Sequence, residues 1–349
     1  MPSAHIVYVG SYAPTNKPAI YEYAFDPETG SLTPRGSFMG IENPSFLALS
    51  PNGHALYAVS ETGGRNNPGS VYALQLVGPP SKWRILGKQL SEGDAPCHLA
   101  IDPAGKWLIV SNYGSGTVTT LPILDDGALG KQTDVVRHKG TGKDLQRQEG
   151  PHAHSATLTP DRRFVVAADL GTDELYIYRL DHAAGKLIEH ARVKTAAGSG
   201  PRHLAFHPSK PVVYVANELG NTVAVYAYDA EAGSLKELQV LSTVPEGATG
   251  SAGDIHVSPG GDRVYVSNRG HDSIATFEVK ADGTLALLAT PPCGGAGPRN
   301  FAISPENRFV LVANQNSGEI TVLPVLPETL GEPVTRLAVP GVSFIAFAK

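Results

Sequence analysis

Short apolar runs of four to eight residues, broken by turns, recur along this chain, and a helical period is nowhere sustained. The clearest stretch is GPRHLAFHPSKPVVYVANELGNTVAVYAYD, Gly200 to Asp229. It reads as three strands, RHLAFH, VVYVANE and NTVAVYAYD, separated by turn residues. Apolar runs of this length, bounded by Gly and Pro and rich in β-branched and aromatic residues, predict strands rather than helices. The pattern then repeats. A proline-anchored turn follows a short strand at Pro51, Pro103, Pro160, Pro208, Pro259 and Pro305, at separations of 52, 57, 48, 51 and 46 residues. A second strand follows each turn (ALYAVSE, WLIVSNY, FVVAADL, VVYVANE, RVYVSNR, FVLVANQ). A third, alternating strand comes next, and after a Gly-centred turn a weaker fourth.

Six such units leave two loose ends. HIVYVGSY and IYEYAF at the N-terminus read as second and third strands without a first, and VSFIAFAK at the C-terminus reads as a first strand alone. Together they complete a seventh unit, and pairing them removes exposed sheet edges. The pattern predicts an all-β, seven-bladed β-propeller of four-stranded antiparallel blades over residues 1–349 as a single domain, its ring closed by N- and C-terminal strands sharing one blade. The longest irregular piece is Val135 to His154, read as either a cover for one mouth of the channel or a solvated insertion.

Composition narrows the partners. With 28 basic and 33 acidic residues the net charge is −5, which gives no footprint for nucleic acid or anionic membranes. No apolar run nears the roughly 18 residues of a membrane-spanning helix. The start, MPSAHIVYVGSY, lacks a basic segment followed by a long apolar one. Two cysteines, Cys97 and Cys293, make no disulfide framework. A cytoplasmic protein is expected, monomeric or weakly homodimeric, with no nucleic-acid or membrane partner.

The repeat lets equivalent positions be compared. Six residues before each anchor proline stand Ser45, Cys97, His154, Arg202, Gly253 and Arg299; one residue later stand Phe46, His98, Ser155, His203, Asp254 and Asn300. Second strands end in Ser11-Tyr12, Ser60-Glu61, Asn112-Tyr113, Asp169-Leu170, Asn217-Glu218, Asn268-Arg269 and Asn314-Gln315. Near-identical Asn, Asp and Ser around a ring suit structural hydrogen bonds to turn backbone. Residues that break the pattern suit chemistry. Arginine grips carboxylate and phosphate in two-pronged fashion, so Arg202, Arg269 and Arg299, with a histidine and Glu218, fit a small anionic substrate and proton transfer. His152 and His154 form H-x-H, which on a strand shares one face; with Glu218 or Asp169 this spacing could ligate a metal, but no third ligand is fixed and no metal or cofactor is expected. Cys97 reads as packing rather than a nucleophile. There is no P-loop, dinucleotide fingerprint or serine elbow.

The segments GPHAHSATLTPDRRFVVAADLGTDELYIYRLD, GPRHLAFHPSKPVVYVANELGNTVAVYAYD and GPRNFAISPENRFVLVANQNSGEITVLPV, with the opening VYVGSY, resemble the lactonase-type seven-bladed propellers over essentially the whole chain. That family includes propeller-type 6-phosphogluconolactonases and 3-carboxy-cis,cis-muconate lactonizing enzymes. The resemblance implies a metal-independent site at the channel mouth, with His154 in GPHAHS, Arg202 in GPRHLAF, Glu218 in ANELGN and Arg269 in SNRGHDSI. The expected function is hydrolysis of an anionic sugar lactone, foremost 6-phosphogluconolactone. His154, Glu218 and Arg202 would be catalytic, with Glu218 orienting His154 or relaying a proton; Arg269, His203, His98, Arg299 and His152 would bind substrate. Carboxy-muconate cycloisomerisation and a non-catalytic binding propeller are the alternatives.

Overall fold

A computed structural model describes residues 4–64, 67–78 and 82–348. Among these residues all regular structure is β-strand, arranged as seven four-stranded antiparallel sheets. Six sheets run in chain order and begin at Leu47–Leu49, Pro96–Ile101, Ala153–Leu158, Pro201–Phe206, Ser251–Val257 and Pro298–Ile303. The seventh runs Val342–Phe347, His5–Ser11, Pro18–Phe25, Leu32–Met39, so the last strand pairs beside the first. The fold is the expected seven-bladed β-propeller, closed as expected. The chain packs as two compact units: one takes in the N-terminal strand up to Ser11, Glu22–Arg35 and Arg202–Ala348, the other Tyr12–Tyr21 and Gly36–Pro201.

The second strands are buried along their whole length in Ala55–Ser60, Trp107–Asn112, Phe164–Asp169, Val212–Asn217 and Phe309–Asn314. Burial on both faces explains why they read as unbroken apolar runs rather than alternating ones. The fourth strands alternate exposed and half-buried positions, as in Lys186–Lys194 and Ser234–Ser242, which explains their faint sequence signal. The anchor-proline turn has a local cause. The residue before each proline is biased away from helical backbone, and its side chain accepts a backbone N–H across the turn. Ser50 Oγ takes Ala55 N at 2.9 Å, Asp102 takes Trp107 N at 2.7 Å, Thr159 takes Phe164 N at 3.1 Å, and Ser258 takes Arg263 N at 3.0 Å. In the Gly200–Asp229 blade His207 Nδ1 takes Ser209 N and Lys210 N instead.

Between the first and second strands the ladder slips at one place in several blades. The shift falls between Pro96 and His98, between Ala153 and Ser155, between Ala252 and Ile255, and between Pro298 and Asn300. The position six before the anchor proline is therefore a β-bulge at Cys97, His154 and Arg299, and spans Gly253 and Asp254 in the Ser251–Val257 strand. A bulge releases one residue from pairing and re-aims its side chain. The closing sheet shows the same shift at Ser343.

The Val135–His154 stretch is more ordered than the sequence suggests. Its first residues belong to the strand Asp134–Arg137, which pairs with Thr117–Thr120. His138 is buried, with Nδ1 2.6 Å from Asp169 Oδ2, and its ring stacks on Tyr176 at 3.7 Å. Gln148 is also buried and donates to Leu170 O and to Asp173 Oδ1. The stretch is pinned at two points to the blade that follows, the one that begins at Ala153–Leu158.

Closure is testable by deletion. The His5–Ser11 strand has Val7 and Val9 fully buried and pairs with Val342–Phe347. Removing residues 342–349 is expected to leave a bare apolar edge, with aggregation on gel filtration and a lowered urea midpoint. A truncated chain that elutes and unfolds like the full one would contradict the closure argument.

Candidate active site

The unit containing Arg202–Ala348 holds a buried charge cluster. Arg202, only 2 % exposed, places Nε 3.0 Å from Glu218 Oε2, and Arg269 Nη2 reaches the same oxygen at 2.7 Å. Glu218 stands one residue beyond the second strand Val212–Asn217, and Arg269 ends the strand Arg263–Arg269. Arg269 is anchored further by Ser251 Oγ at 2.8 Å and Ala252 O at 3.3 Å. Burial pushes the Arg202 guanidinium down to about 10, helped by the positive charges of Arg269 and Arg299 and opposed by Glu218 and Asp254. Arg202 remains a cation at neutral pH. Glu218 thus bridges Arg202 and Arg269, while the charges of Arg299 and Asp254 also act on Arg202. Such a cluster is preorganised for an anion, since desolvated cations interact with charge far more strongly than solvated ones.

Arg202 Nη1 donates to Gly253 O at 2.6 Å. Gly253 occupies the bulge slot that carries a side chain in other blades. A Cβ there would lie 2.6 Å from Ser267 Oγ and 2.9 Å from Pro298 O. The slot is filled by neighbouring backbone, and what it offers Arg202 is its carbonyl.

The next slot forms a belt across four first strands of this unit. His203 Nδ1 lies 2.7 Å from Asp254 Oδ1, Asn300 Nδ2 donates to Asp254 Oδ2 at 2.5 Å, and Ile345 N donates to Asn300 Oδ1 at 2.7 Å. His256 Nε2 also reaches Asp254 Oδ2, at 2.8 Å. Burial alone would raise the Asp254 carboxyl, but the His256 charge and the hydrogen bonds from both histidines hold it well below the usual carboxylate range. His203 is pushed down to about 4, chiefly by burial and then by the Arg202 charge. His203 is therefore neutral and engaged with Asp254, one residue from Arg202.

The other unit holds the remaining histidines. His154, 5 % exposed, is bulged out of its strand, with Nδ1 3.8 Å from Cys97 Sγ and its ring edge-on to Tyr113 at 5.4 Å. Cys97 Sγ also donates to His154 O at 3.3 Å, so this thiol is packed between bulges. His152 lies one residue before the strand Ala153–Leu158 rather than on it. Its Nδ1 is 2.9 Å from Tyr113 O, its Nε2 is 3.3 Å from Glu149, and its ring stacks on Tyr113 at 4.4 Å. The bulge at His154 breaks the alternation that would set the two histidines on one strand face. His98 packs against Phe46 and takes a long contact from Ala156 N, at 3.5 Å. Among the described residues no three His, Cys, Asp or Glu side chains gather so as to hold a metal ion.

The repeated Asn residues are structural. Asn112 Nδ2 bonds Ser91 O and Thr117 Oγ1, Asn217 bonds Thr222 Oγ1, Asn268 bonds Thr243 O, and Asn314 bonds Thr321 Oγ1. Asp169 likewise takes the N–H groups of His152, Gly171 and Thr172. One carboxylate went unremarked in the sequence. Glu61 occupies the same slot as Glu218 and accepts from Tyr12 Oη at 2.6 Å and from Ser45 Oγ. Comparing slots rather than motifs was enough to single it out.

Two measurements test this geometry. As pH falls from about 6.5 to about 4, the unfolded chain takes up a proton at His203 that the folded chain refuses, so stability drops across that window. His256, raised by the Asp254 charge against the effect of burial, contributes stability below its ordinary value that is lost as pH rises through its folded value, outside the His203 window. His203→Gln is therefore expected to flatten the fall in denaturant-measured stability between pH 6.5 and 4; a slope equal to wild type would contradict a neutral, buried His203. Gly253→Ala is expected to cost about 1–3 kcal/mol through overpacking, and an unchanged urea midpoint would contradict the tight slot.

Comparison with known proteins agrees with the fold. The family described as Lactonase, 7-bladed beta-propeller matches residues 6–347. The chain is 37% identical over 343 residues to a 6-phosphogluconolactonase of Bacillus subtilis, covering 94% of this chain and 96% of that one. A crystal structure of a putative 6-phosphogluconolactonase from Bacteroides fragilis superposes with a TM-score of 0.92 at 32% identity, covering 100% of this chain and 99% of that one. The periplasmic gluconolactonase of Pseudomonas aeruginosa gives the same score and identity, with 99% of each chain covered. With a family match over residues 6–347 and relatives above 30% identity along nearly the whole chain, the chain belongs to the lactonase family of seven-bladed β-propellers.

Proposed function

We propose that this protein hydrolyses an anionic sugar lactone, 6-phosphogluconolactone, to the open-chain acid. The observation that carries the reading is the arginine cluster, with Arg202 buried, Glu218 bridging it to the half-buried Arg269, and the Arg299 charge acting on Arg202, in a chain whose Bacillus relative is named for that activity. His154 stands six residues before the anchor proline of its blade, as Arg202 does in its own.

In this reading His154 takes a proton from water as the water oxygen bonds to the lactone carbonyl carbon. The carbonyl oxygen becomes an oxyanion, and Arg202 stabilises it. Removing one preorganised donor of this kind typically costs about 10²–10³ in rate. The bond from that carbon to the ring oxygen then breaks, and the ring oxygen takes the proton from the imidazolium. Arg269, 21 % exposed against 2 % for Arg202, holds the substrate phosphate. Glu218 keeps the two guanidiniums apart and in register, a role its bridging contacts support better than the relay expected from sequence. A phosphorylated sugar substrate fits a cytoplasmic place of action.

A second reading, an unphosphorylated aldonolactone, has one observation in its favour, the Pseudomonas structure described as a gluconolactonase. One kinetic panel separates the possibilities. Wild type is expected to open 6-phosphogluconolactone faster than gluconolactone and to leave a carboxylated muconate unchanged. His154→Ala and Arg202→Ala should each lose at least about a hundredfold in kcat/KM, and Arg269→Ala should chiefly raise KM for the phosphorylated substrate. No acceleration above spontaneous opening of any lactone would overturn the proposal, and equal rates on both lactones would favour the second reading.

A further inference from the structure

The belt residue Asp254 is 3 % exposed and takes no part in the steps proposed above. It touches His203, one of the residues that face Arg202. Asp254 Oδ1 accepts from His203 Nδ1 at 2.7 Å, and His203 Nε2 lies 3.4 Å from Arg202 Nη1. A guanidinium can only donate, so the facing imidazole nitrogen must carry a lone pair. A neutral imidazole meets that need only if its single proton sits on Nδ1, and a carboxylate at Nδ1 fixes it there. The same nitrogen of Arg202 also donates to Gly253 O, the carbonyl immediately before Asp254. The bulge thus delivers two aids to Arg202 from consecutive residues, a carbonyl directly and a carboxylate through His203.

We propose that Asp254 is a positioning residue for Arg202, acting by locking His203 as the Nδ1-protonated tautomer so that Nε2 receives the Arg202 N–H and aims the guanidinium. The remaining acceptor capacity of Asp254 is taken by Asn300 Nδ2, Phe301 N and His256 Nε2, so its orientation does not depend on Arg202. A low proton affinity of His203, set first by burial and then by Arg202, agrees with a neutral ring. The proposal rests on the reading of Arg202 as the group that stabilises the oxyanion.

Asp254→Asn is the informative change. An amide keeps the shape but turns one acceptor into a donor. With its carbonyl toward Asn300 and Phe301, its NH₂ faces His203 Nδ1, which drives the ring proton to Nε2 and sets donor against donor at Arg202. Asn300→Ser is the control, because it cuts the neighbouring strand-to-strand bond to the same carboxylate while leaving His203 Nδ1 its acceptor.

The tautomer is read by ¹⁵N NMR of histidine-labelled protein, with His203→Gln used to assign the signal. Wild type is expected to show Nδ1–H at His203, and Asp254→Asn to show Nε2–H. In lactone kinetics Asp254→Asn should lower kcat by about tenfold or more with KM changed less than about threefold, whereas Asn300→Ser should leave kcat within about twofold and lower only the urea midpoint. An Nε2–H tautomer in wild type would overturn the proposal, and so would equal kinetic losses in the two variants. The wild-type tautomer is informative even if Asp254→Asn fails to fold. A protein with the expected tautomer and no lactonase activity would overturn the functional reading instead, so the two failures are told apart.

Discussion

Taking the Arg202 guanidinium out of water is the constraint on which this architecture turns. A buried cation left uncompensated costs several kcal/mol, of the order of 3–5 when one partner of a buried pair is removed. The protein meets that cost from three directions: Glu218 at Nε, the Gly253 carbonyl at Nη1, and the lone pair of His203 beside it. Each partner comes from a different piece of backbone, and each lies where a first strand begins or a second strand ends. Arg269 shares the Glu218 oxygen, and the Arg299 charge also acts on Arg202, so positive charge is concentrated around this one buried side chain.

The β-bulge makes this possible within a repeat. A regular ladder would commit every residue of a short strand to alternate faces. Where the ladder slips, a residue is free of that commitment, and the slot carries Cys97, His154, Gly253 and Arg299 in four of the blades. The repeat reuses one backbone device in these blades with a different side chain in each. Around it, Asn112, Asn217, Asn268 and Asn314 hold the turns with side-chain hydrogen bonds.

Much of this was legible in the residues. The anchor proline marks the period because its preceding Ser, Thr, Asp or His closes a turn, a local event that leaves a local signature. Arg202, Glu218 and Arg269 stood out as charged residues in slots that most blades fill with uncharged ones, and the structure brings these three together. The bulge was not legible, since one unpaired residue in a six-residue strand hardly disturbs its apolar pattern; for that reason His152 and His154 read as sharing a strand face when they do not. The pairing of His138 with Asp169 spans 31 positions and has no spacing rule behind it. Asp254 sat in plain view as one more polar strand-end residue. Its part depends on which neighbours it reaches across blades, which a linear pattern does not encode. The strand Asp134–Arg137 was too short, and too polar on its flanks, to separate from the irregular stretch that follows it.

The central claim is that the buried arginine cluster recognises an anion on the substrate. Isothermal calorimetry with the reaction product tests it without relying on turnover. The account predicts that 6-phosphogluconate binds the wild-type protein at least about tenfold more tightly than gluconate, a difference of about 1.4 kcal/mol, and that the difference vanishes in Arg269→Ala. Equal affinity for the two acids, or a preference that survives loss of Arg269, would contradict it.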